Sequence, residues 1–272
     1  GGQGAEAPAG VDVSGTRPCF DWVYASDVPL RTGVGYGVLP SGVPVLAFAD
    51  VAAWVHLVDA RTGKLLWKKP VGRWGLSNTT GTPLVFGNRV YVPISASEIN
   101  FGGEDSHECC KTHGMFRALD ARNGRVVWTY ETMPDARPVR DRGDGKMLWG
   151  PSGAPIWSSP AMDPRRGLIY VGTGEATSAP AWETTDSILA LDMRSGKLRW
   201  RFQAAAEVRT AARLHGGMKD RLPASLDHAV WLHHPPRFDG WILYASESPI
   251  AESGRAWVLG RVVDWVFLVA LT

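Results

Sequence analysis

One pattern occurs three times in this chain of 272 residues, at Val55–Trp67 (VHLVDARTGKLLW), Phe116–Trp128 (FRALDARNGRVVW) and Ile188–Trp200 (ILALDMRSGKLRW). Each copy runs from apolar residues through Asp, a spacer, Arg, a small polar residue and Gly to a basic residue, two more positions and Trp. Asp59, Asp120 and Asp192 fall at one point of the pattern, Gly63, Gly124 and Gly196 at a second, and Trp67, Trp128 and Trp200 at a third. The copies lie 61 and 72 residues apart, room for a four-stranded unit and a long loop. Internal repetition on this scale points to an array of similar supersecondary units.

The local chemistry of the unit predicts a β-hairpin. Alternating apolar residues such as Val55 and Leu57, or Phe116 and Ala118, suit a half-buried strand. Asp can accept from a backbone amide further along a turn, and Gly takes positive φ without steric cost. The run ending in Trp begins a second strand, and an indole there can fill the gap between neighbouring sheets while its N–H reaches a backbone acceptor. Further β-rich runs precede each copy at Pro44–Phe48, Gly87–Val92 and Gly167–Val171, and no long helical periodicity separates them. Short sheets repeated radially make a β-propeller. The expected class is all-β, a partial propeller of about three to four blades, with the repeated Asp and Trp as scaffold.

Composition narrows the function classes. A formal net charge of +2 gives no field for nucleic acid or an anionic membrane surface. Thirteen Trp and 31 Gly accord with the repeat. Gly1–Gly10 is a Gly/Ala tract without the basic and apolar regions of a secretory leader. Val258–Leu271 is apolar, but Arg261 and Asp264 interrupt it. It is too short and too charged for a membrane span, and a buried strand or helix is expected.

The segments between the repeats carry a more specific likeness. Trp149–Pro164 (WGPSGAPIWSSPAMDP), Gly167–Gly174 (GLIYVGTG) and Tyr91–Cys110 (YVPISASEINFGGEDSHECC) resemble quinoprotein dehydrogenases that use pyrroloquinoline quinone (PQQ). The polyvinyl-alcohol-dehydrogenase-like branch is the most similar. The likeness covers roughly residues 26 to 203 and implies blades of an eight-bladed propeller with tryptophan docking. It divides the chain into an N-terminal tail (1–20), blades (21–203) and a divergent or foreign C-terminal segment (204–272).

PQQ is a flat, tricarboxylated ortho-quinone. It needs aromatic plates, cationic and hydroxyl donors, and a cation as Lewis acid on one carbonyl. The resemblance places Trp157 at the indole that stacks on the cofactor and Arg31 at the arginine near its oxygens. Thr80, Ser95, Ala96 and Ser97 match positions along its edge. Glu98 matches the carboxylate ligand to Ca²⁺, a hard cation that takes oxygen donors. Glu175 stands where the family usually has a second ligand, Asn; a carboxylate can replace the amide oxygen but adds negative charge.

Cys109 and Cys110 match a vicinal disulfide that covers one cofactor face in the family, and such a bond implies an oxidising compartment, the periplasm. Another reading of the same stretch is a zinc site using His107, Cys109, Cys110 and His113. Adjacent cysteines seldom both reach one tetrahedral centre, and the spacing is not CxxC.

By the same resemblance the substrate is an alcohol, and the reduced cofactor passes electrons to a protein such as a cytochrome c. No CxxCH attaches a haem to this chain. After Gln203 the resemblance stops where the family has the loop bearing its aspartate base. Asp220, Asp227 and Asp239 lie in no matching motif. Impaired activity of a truncated relative is therefore expected. A cofactor-free propeller serving as a protein-binding scaffold is the alternative from another class.

Overall fold

A computed structural model describes residues 21–204, apart from 103 and 105, and the strands 243–252 and 255–263. The first sheet comprises β1 (Gly35–Val38), β2 (Pro44–Ala49), β3 (Trp54–Asp59) and β4 (Leu65–Pro70), antiparallel in sequence order. The second contains β5 (Ser77–Asn78), β6 (Leu84–Phe86), β7 (Arg89–Ala96), β8 (Met115–Asp120) and β9 (Val126–Glu131). There β6, β7, β8 and β9 form the same antiparallel meander, and β5 pairs with the far end of β7. A hairpin of β10 (Arg137–Asp141) and β11 (Met147–Gly150) follows, then β12 (Ser152–Gly153). The third sheet is β13 (Ala161–Asp163), β14 (Leu168–Gly172), β16 (Ser187–Asp192) and β17 (Leu198–Gln203), with β15 (Ala176–Ser178) branching off to pair with β12.

The chain divides into two compact units, Gly1–Gly217 and Met218–Thr272. The three sheets belong to the first. In the second, β18 (Leu243–Glu252) and β19 (Arg255–Val263) form an antiparallel hairpin. No helix among the described residues is long and apolar enough to cross a membrane.

The repeated pattern builds one hairpin three times. In each turn the Gly amide donates to the Asp carbonyl, at 2.9, 2.7 and 2.8 Å for Gly63, Gly124 and Gly196. The Asp side chain accepts from the amide two residues on, Arg61, Arg122 or Arg194. All three glycines hold φ near +70°, at 67°, 71° and 69°. Trp67, Trp128 and Trp200 then pair with Leu57, Ala118 and Ala190, and each pairing is followed by a register shift at the same point. One residue bulges there, which raises the local twist.

Sheet-to-sheet packing follows from the same residues. Trp67 donates its indole N–H to the Ala121 carbonyl at 2.8 Å, and Trp128 to that of Met193 at 3.2 Å. Each indole lies over the glycine of the next hairpin: a Cβ on Gly124 would come 3.0 Å from Trp67 Cε3, and one on Gly196 2.5 Å from Trp128 Cε3. Trp22 completes the series, donating to Ala60 at 3.1 Å and covering Gly63. Trp200 differs. It is 46% exposed, against 8% for Trp67 and 9% for Trp128, because no following sheet receives it among the described residues.

The core lies between the sheets. Val45, Ala47, Val55 and Leu57 meet Val90, Val92, Ile94, Met115 and Leu119 in one layer. Tyr91, Phe116 and Ala118 meet Ile169, Val171, Leu189 and Leu191 in the next. Alternate residues of β7 and β8 thus enter opposite layers, as a strand of period two requires. The first strands also approach one another. Gly35 abuts the Pro83 carbonyl, and a Cβ on Gly37 would fall 2.6 Å from Val85 Cγ1. Face-packed four-stranded meanders whose first strands converge are consecutive propeller blades.

Candidate functional site

The entries to the first strands are neighbours, and they carry the first group of expected site residues. The segment bearing Arg31 is held by Thr32, whose hydroxyl accepts from the Ala49 amide at 2.9 Å. Gly33 lies against the Thr82 hydroxyl. The second entry, residues 79–83, meets the third: Gly81 touches the Ser158 carbonyl, and Thr82 donates its amide to the Ser159 hydroxyl at 3.0 Å. Thr80 reaches the Trp157 carbonyl with its hydroxyl at 3.3 Å. Small residues at these crossings permit the approach.

Trp157 is the largest ring presented there. It is 52% exposed, whereas the docked indoles of Trp67 and Trp128 are covered. Gly174 supports it, a Cβ there coming 3.4 Å from its Cζ2, and Pro155 packs on the same glycine. Arg31 is exposed and its guanidinium makes no hydrogen bond among the described residues. A half-exposed indole with an available guanidinium and a hydroxyl on neighbouring entries suits a flat anionic ring.

A second group surrounds Glu98, which begins a short 3-10 helix, Glu98–Asn100, and is buried. One carboxylate oxygen accepts from the amides of Lys111 and Thr112 at 2.7 and 2.6 Å, and the other meets His107 Nε2 at 2.9 Å. Ser97 ties the preceding turn to the Leu76 carbonyl through its hydroxyl at 3.0 Å. Ser95 and Ala96 pair with Asn78 and Ser77, which lie two and three residues before Thr80 in the chain. The Cys109–Cys110 disulfide is present and buried, with Gly102 packed against both sulfurs. Its backbone is fixed by Trp149, whose amide donates to the Cys109 carbonyl at 2.9 Å.

Glu175 links the two groups. It follows Gly174, which supports Trp157, and its carbonyl accepts from Ala154 at 2.8 Å. Gly153 donates in turn to the carbonyl of Thr112, the residue whose amide holds Glu98. The Glu175 carboxylate makes no hydrogen bond among the described residues. Asp220, Asp227 and Asp239 lie outside the described residues.

These residues answer unequally to PQQ with a cation. Trp157 offers such a ring a plate and Arg31 a cationic donor, while the Thr80 hydroxyl donates to the Trp157 carbonyl and keeps its oxygen as an acceptor. At the cation position a carboxylate offers about four lone-pair directions, and three of those on Glu98 are taken. Ca²⁺ seeks six to eight oxygens. Glu98 can serve it only as a minor ligand unless His107 moves. His107 and Thr112 were not expected as partners of Glu98. The His107 signal was present in the sequence, nine residues away, while the Thr112 amide is a backbone group that no sequence pattern marks.

Residues 72–207, half of the chain, match the family described as "PQQ: Glucose/ethanol/alcohol dehydrogenase, beta-propeller domain". A polyvinylalcohol dehydrogenase of Pseudomonas sp. is 37% identical over 186 residues, covering 67% of this chain and 29% of that protein. Its counterpart from Sphingopyxis sp. (strain 113P3) is 36% identical over 193 residues, covering 70% and 30%. A quinohemoprotein alcohol dehydrogenase of Pseudomonas putida is 28% identical over 170 residues, covering 54% and 23%. The chain therefore spans under a third of the length of these relatives. Residues 182–265 also match the family described as acyl-CoA thioesterase. Where the two matches overlap, β16 and β17 form the last two strands of the third sheet, in the register of the repeat.

Proposed function

Since this chain belongs to the PQQ β-propeller family of glucose, ethanol and alcohol dehydrogenases, we propose that it supplies cofactor-binding blades of a PQQ-dependent alcohol dehydrogenase. The observation that carries this reading is the Trp157 indole, half-exposed where the entry bearing Thr80 crosses it, with the entry bearing Arg31 packed in turn on Thr82. Trp157 would carry the ring face, and Arg31 and Thr80 its oxygens. Ser95, Ala96 and Ser97 would border it through β5 and β7. The buried Cys109–Cys110 pair would stiffen the wall behind Glu98.

When bound, PQQ supplies a carbonyl carbon that takes up hydride from an alcohol. The polyvinyl alcohol dehydrogenases among the relatives make a secondary, polymeric alcohol the substrate to try first. Glu175 and, less strongly, Glu98 would hold Ca²⁺ at the quinone edge. An external electron acceptor such as a cytochrome c would complete the turnover, and the disulfide suits a periplasmic setting. The division into a tail (1–20), blades (21–203) and a separate C-terminal segment (204–272) belongs to the same reading.

No residue of this chain is assigned as the base that takes the alcohol proton. General-base assistance contributes about 10²–10⁴-fold in rate, so this chain alone is expected to bind PQQ with little alcohol turnover. Reconstitution with PQQ and Ca²⁺, followed by alcohol-dependent dye reduction, tests this directly. Brisk dye reduction, lost on substituting Asp220, Asp227 or Asp239, would overturn the expectation by revealing a base. Absence of any PQQ binding would favour the cofactor-free scaffold.

A further inference from the structure

His113 is fully buried and neither ring nitrogen makes a hydrogen bond. Such an imidazole is costly to bury, and its position has an explanation nearby. Its Nε2 lies 3.4 Å from Glu131 Oε2, and ligand atoms of His113, Glu131 and Asp135 all lie within 4.8 Å of one another. The three come from separate stretches: His113 precedes β8, Glu131 ends β9, and Asp135 follows it. Thr132 donates its amide to the Gly114 carbonyl at 3.1 Å, which locks the first two stretches together.

The carboxylates already surround a cation. Arg73 Nη1 lies 3.1 Å from both Glu131 oxygens and 2.8 Å from Asp135 Oδ1, and Nη2 lies 2.8 Å from Asp135 Oδ2. Arg73 rests on the Trp74 ring, 4.9 Å from its centroid, and Trp74 meets His113 edge-on. Arg117 is the other nearby charge; its Nη1 donates to the Val71 carbonyl at 2.7 Å.

We propose that His113 Nε2, Glu131 and Asp135 form a site for a divalent transition-metal ion, with Arg73 holding the two carboxylates together when the metal is absent. Three protein ligands with one open position are common for zinc, and one imidazole with two carboxylates favours such ions over Ca²⁺ or Mg²⁺. Tetrahedral ligands about 2.0–2.1 Å from a metal sit about 3.3 Å apart, so the cluster needs only a modest closure. Burial lowers the His113 pKa, which keeps the imidazole neutral and available as a ligand. The guanidinium competes for the carboxylates, so the site binds with moderate affinity and Arg73 is displaced as metal enters. The residues differ from those assigned to the cofactor, and the zinc set considered from sequence is replaced: the two cysteines are bonded to each other and His107 faces Glu98.

The test is a Co²⁺ titration of the chelator-treated 272-residue chain without PQQ, reading the visible d–d bands. One equivalent is expected to give a low-symmetry spectrum that Zn²⁺ bleaches. Loss of a metal ligand costs at least the about 10–100-fold seen when outer partners are lost, so His113→Gln and Asp135→Asn should each weaken binding by more than about tenfold. Asp135 is exposed, so its variant tests the site even if the His113 variant fails to fold. Arg73→Gln should tighten binding, since the competing cation is gone. Binding insensitive to both ligand substitutions, weaker binding in the Arg73 variant, or no binding at millimolar Co²⁺ would overturn the assignment.

Discussion

At the scale of single residues, the glycine of each hairpin meets two demands at once. Gly124 needs positive φ and also lies beneath Trp67, where a Cβ would come 2.5 Å from Lys69 Cγ and 3.0 Å from the indole. Gly87 has φ +56° and open space around it. Left-handed backbone costs an L-residue about 1–2 kcal/mol. Gly87→Ala should lose about that much in denaturant unfolding, and Gly124→Ala clearly more, because Trp67 must also shift. Equal losses would mean the indole is not seated on the glycine.

A buried polar chain invites a second test at this scale. Tyr24 bonds His56 Nδ1 at 2.8 Å, His56 Nε2 meets Asp50 Oδ2 at 3.2 Å, and Lys68 lies 3.8 Å from the same oxygen. Asp50 also accepts from the amides of Ala52 and Trp54. Burial lowers the His56 pKa below its ordinary 6.5, outweighing the raising effect of Asp50. The unfolded chain then binds the proton more readily than the folded one. This contribution is whole above about pH 6.5 and is lost as pH falls toward the lowered value. Thermal midpoints should drop between pH 7.5 and 5.5, and His56→Asn should flatten that drop.

At the scale of elements, the Trp-bearing strand joins one sheet to the next, and its value depends on what it meets. Trp67 and Trp128 are covered and bonded to a neighbouring carbonyl; Trp200 occupies the same register position and is not covered. Removing a buried Trp costs about 3–5 kcal/mol, while exposed positions cost little. Trp67→Ala and Trp128→Ala should therefore destabilise strongly, and Trp200→Ala by only about 1 kcal/mol. A large loss at Trp200 would show that it is docked.

The hairpins were legible from sequence because their turn chemistry is local: Asp and Gly act within one turn, and the Trp that docks on the next unit stands at a fixed distance after them. Trp22 escaped notice because it carries the docking role without the pattern before it. Its partner Ala60 lies 38 residues away. For the same reason the partners of Glu98 had to be seen. Two are backbone amides, and a carboxylate among amides looks the same in sequence as one awaiting a cation.

At the scale of the molecule, three face-packed sheets bring three strand entries together, and the proposed function rests on that convergence. The resemblance named Arg31, Thr80 and Trp157 separately, and the fold puts their segments side by side. It could not foresee that Glu98 would be enclosed while Glu175 remained open, since that depends on how residues 107–112 fold back over the helix. The cluster of His113, Glu131 and Asp135 was equally hidden, because its members meet only when β8 and β9 are paired.

Cofactor binding at the converging strand entries is tested most directly by a PQQ titration of the purified chain followed by tryptophan fluorescence, with Trp157→Ala and Arg31→Ala alongside. Saturable quenching is expected in the parent chain, loss of most of it in the Trp157 variant and weaker binding in the Arg31 variant, all with thermal stability retained because both side chains are exposed. Saturable binding of equal strength in all three proteins would contradict binding at that place.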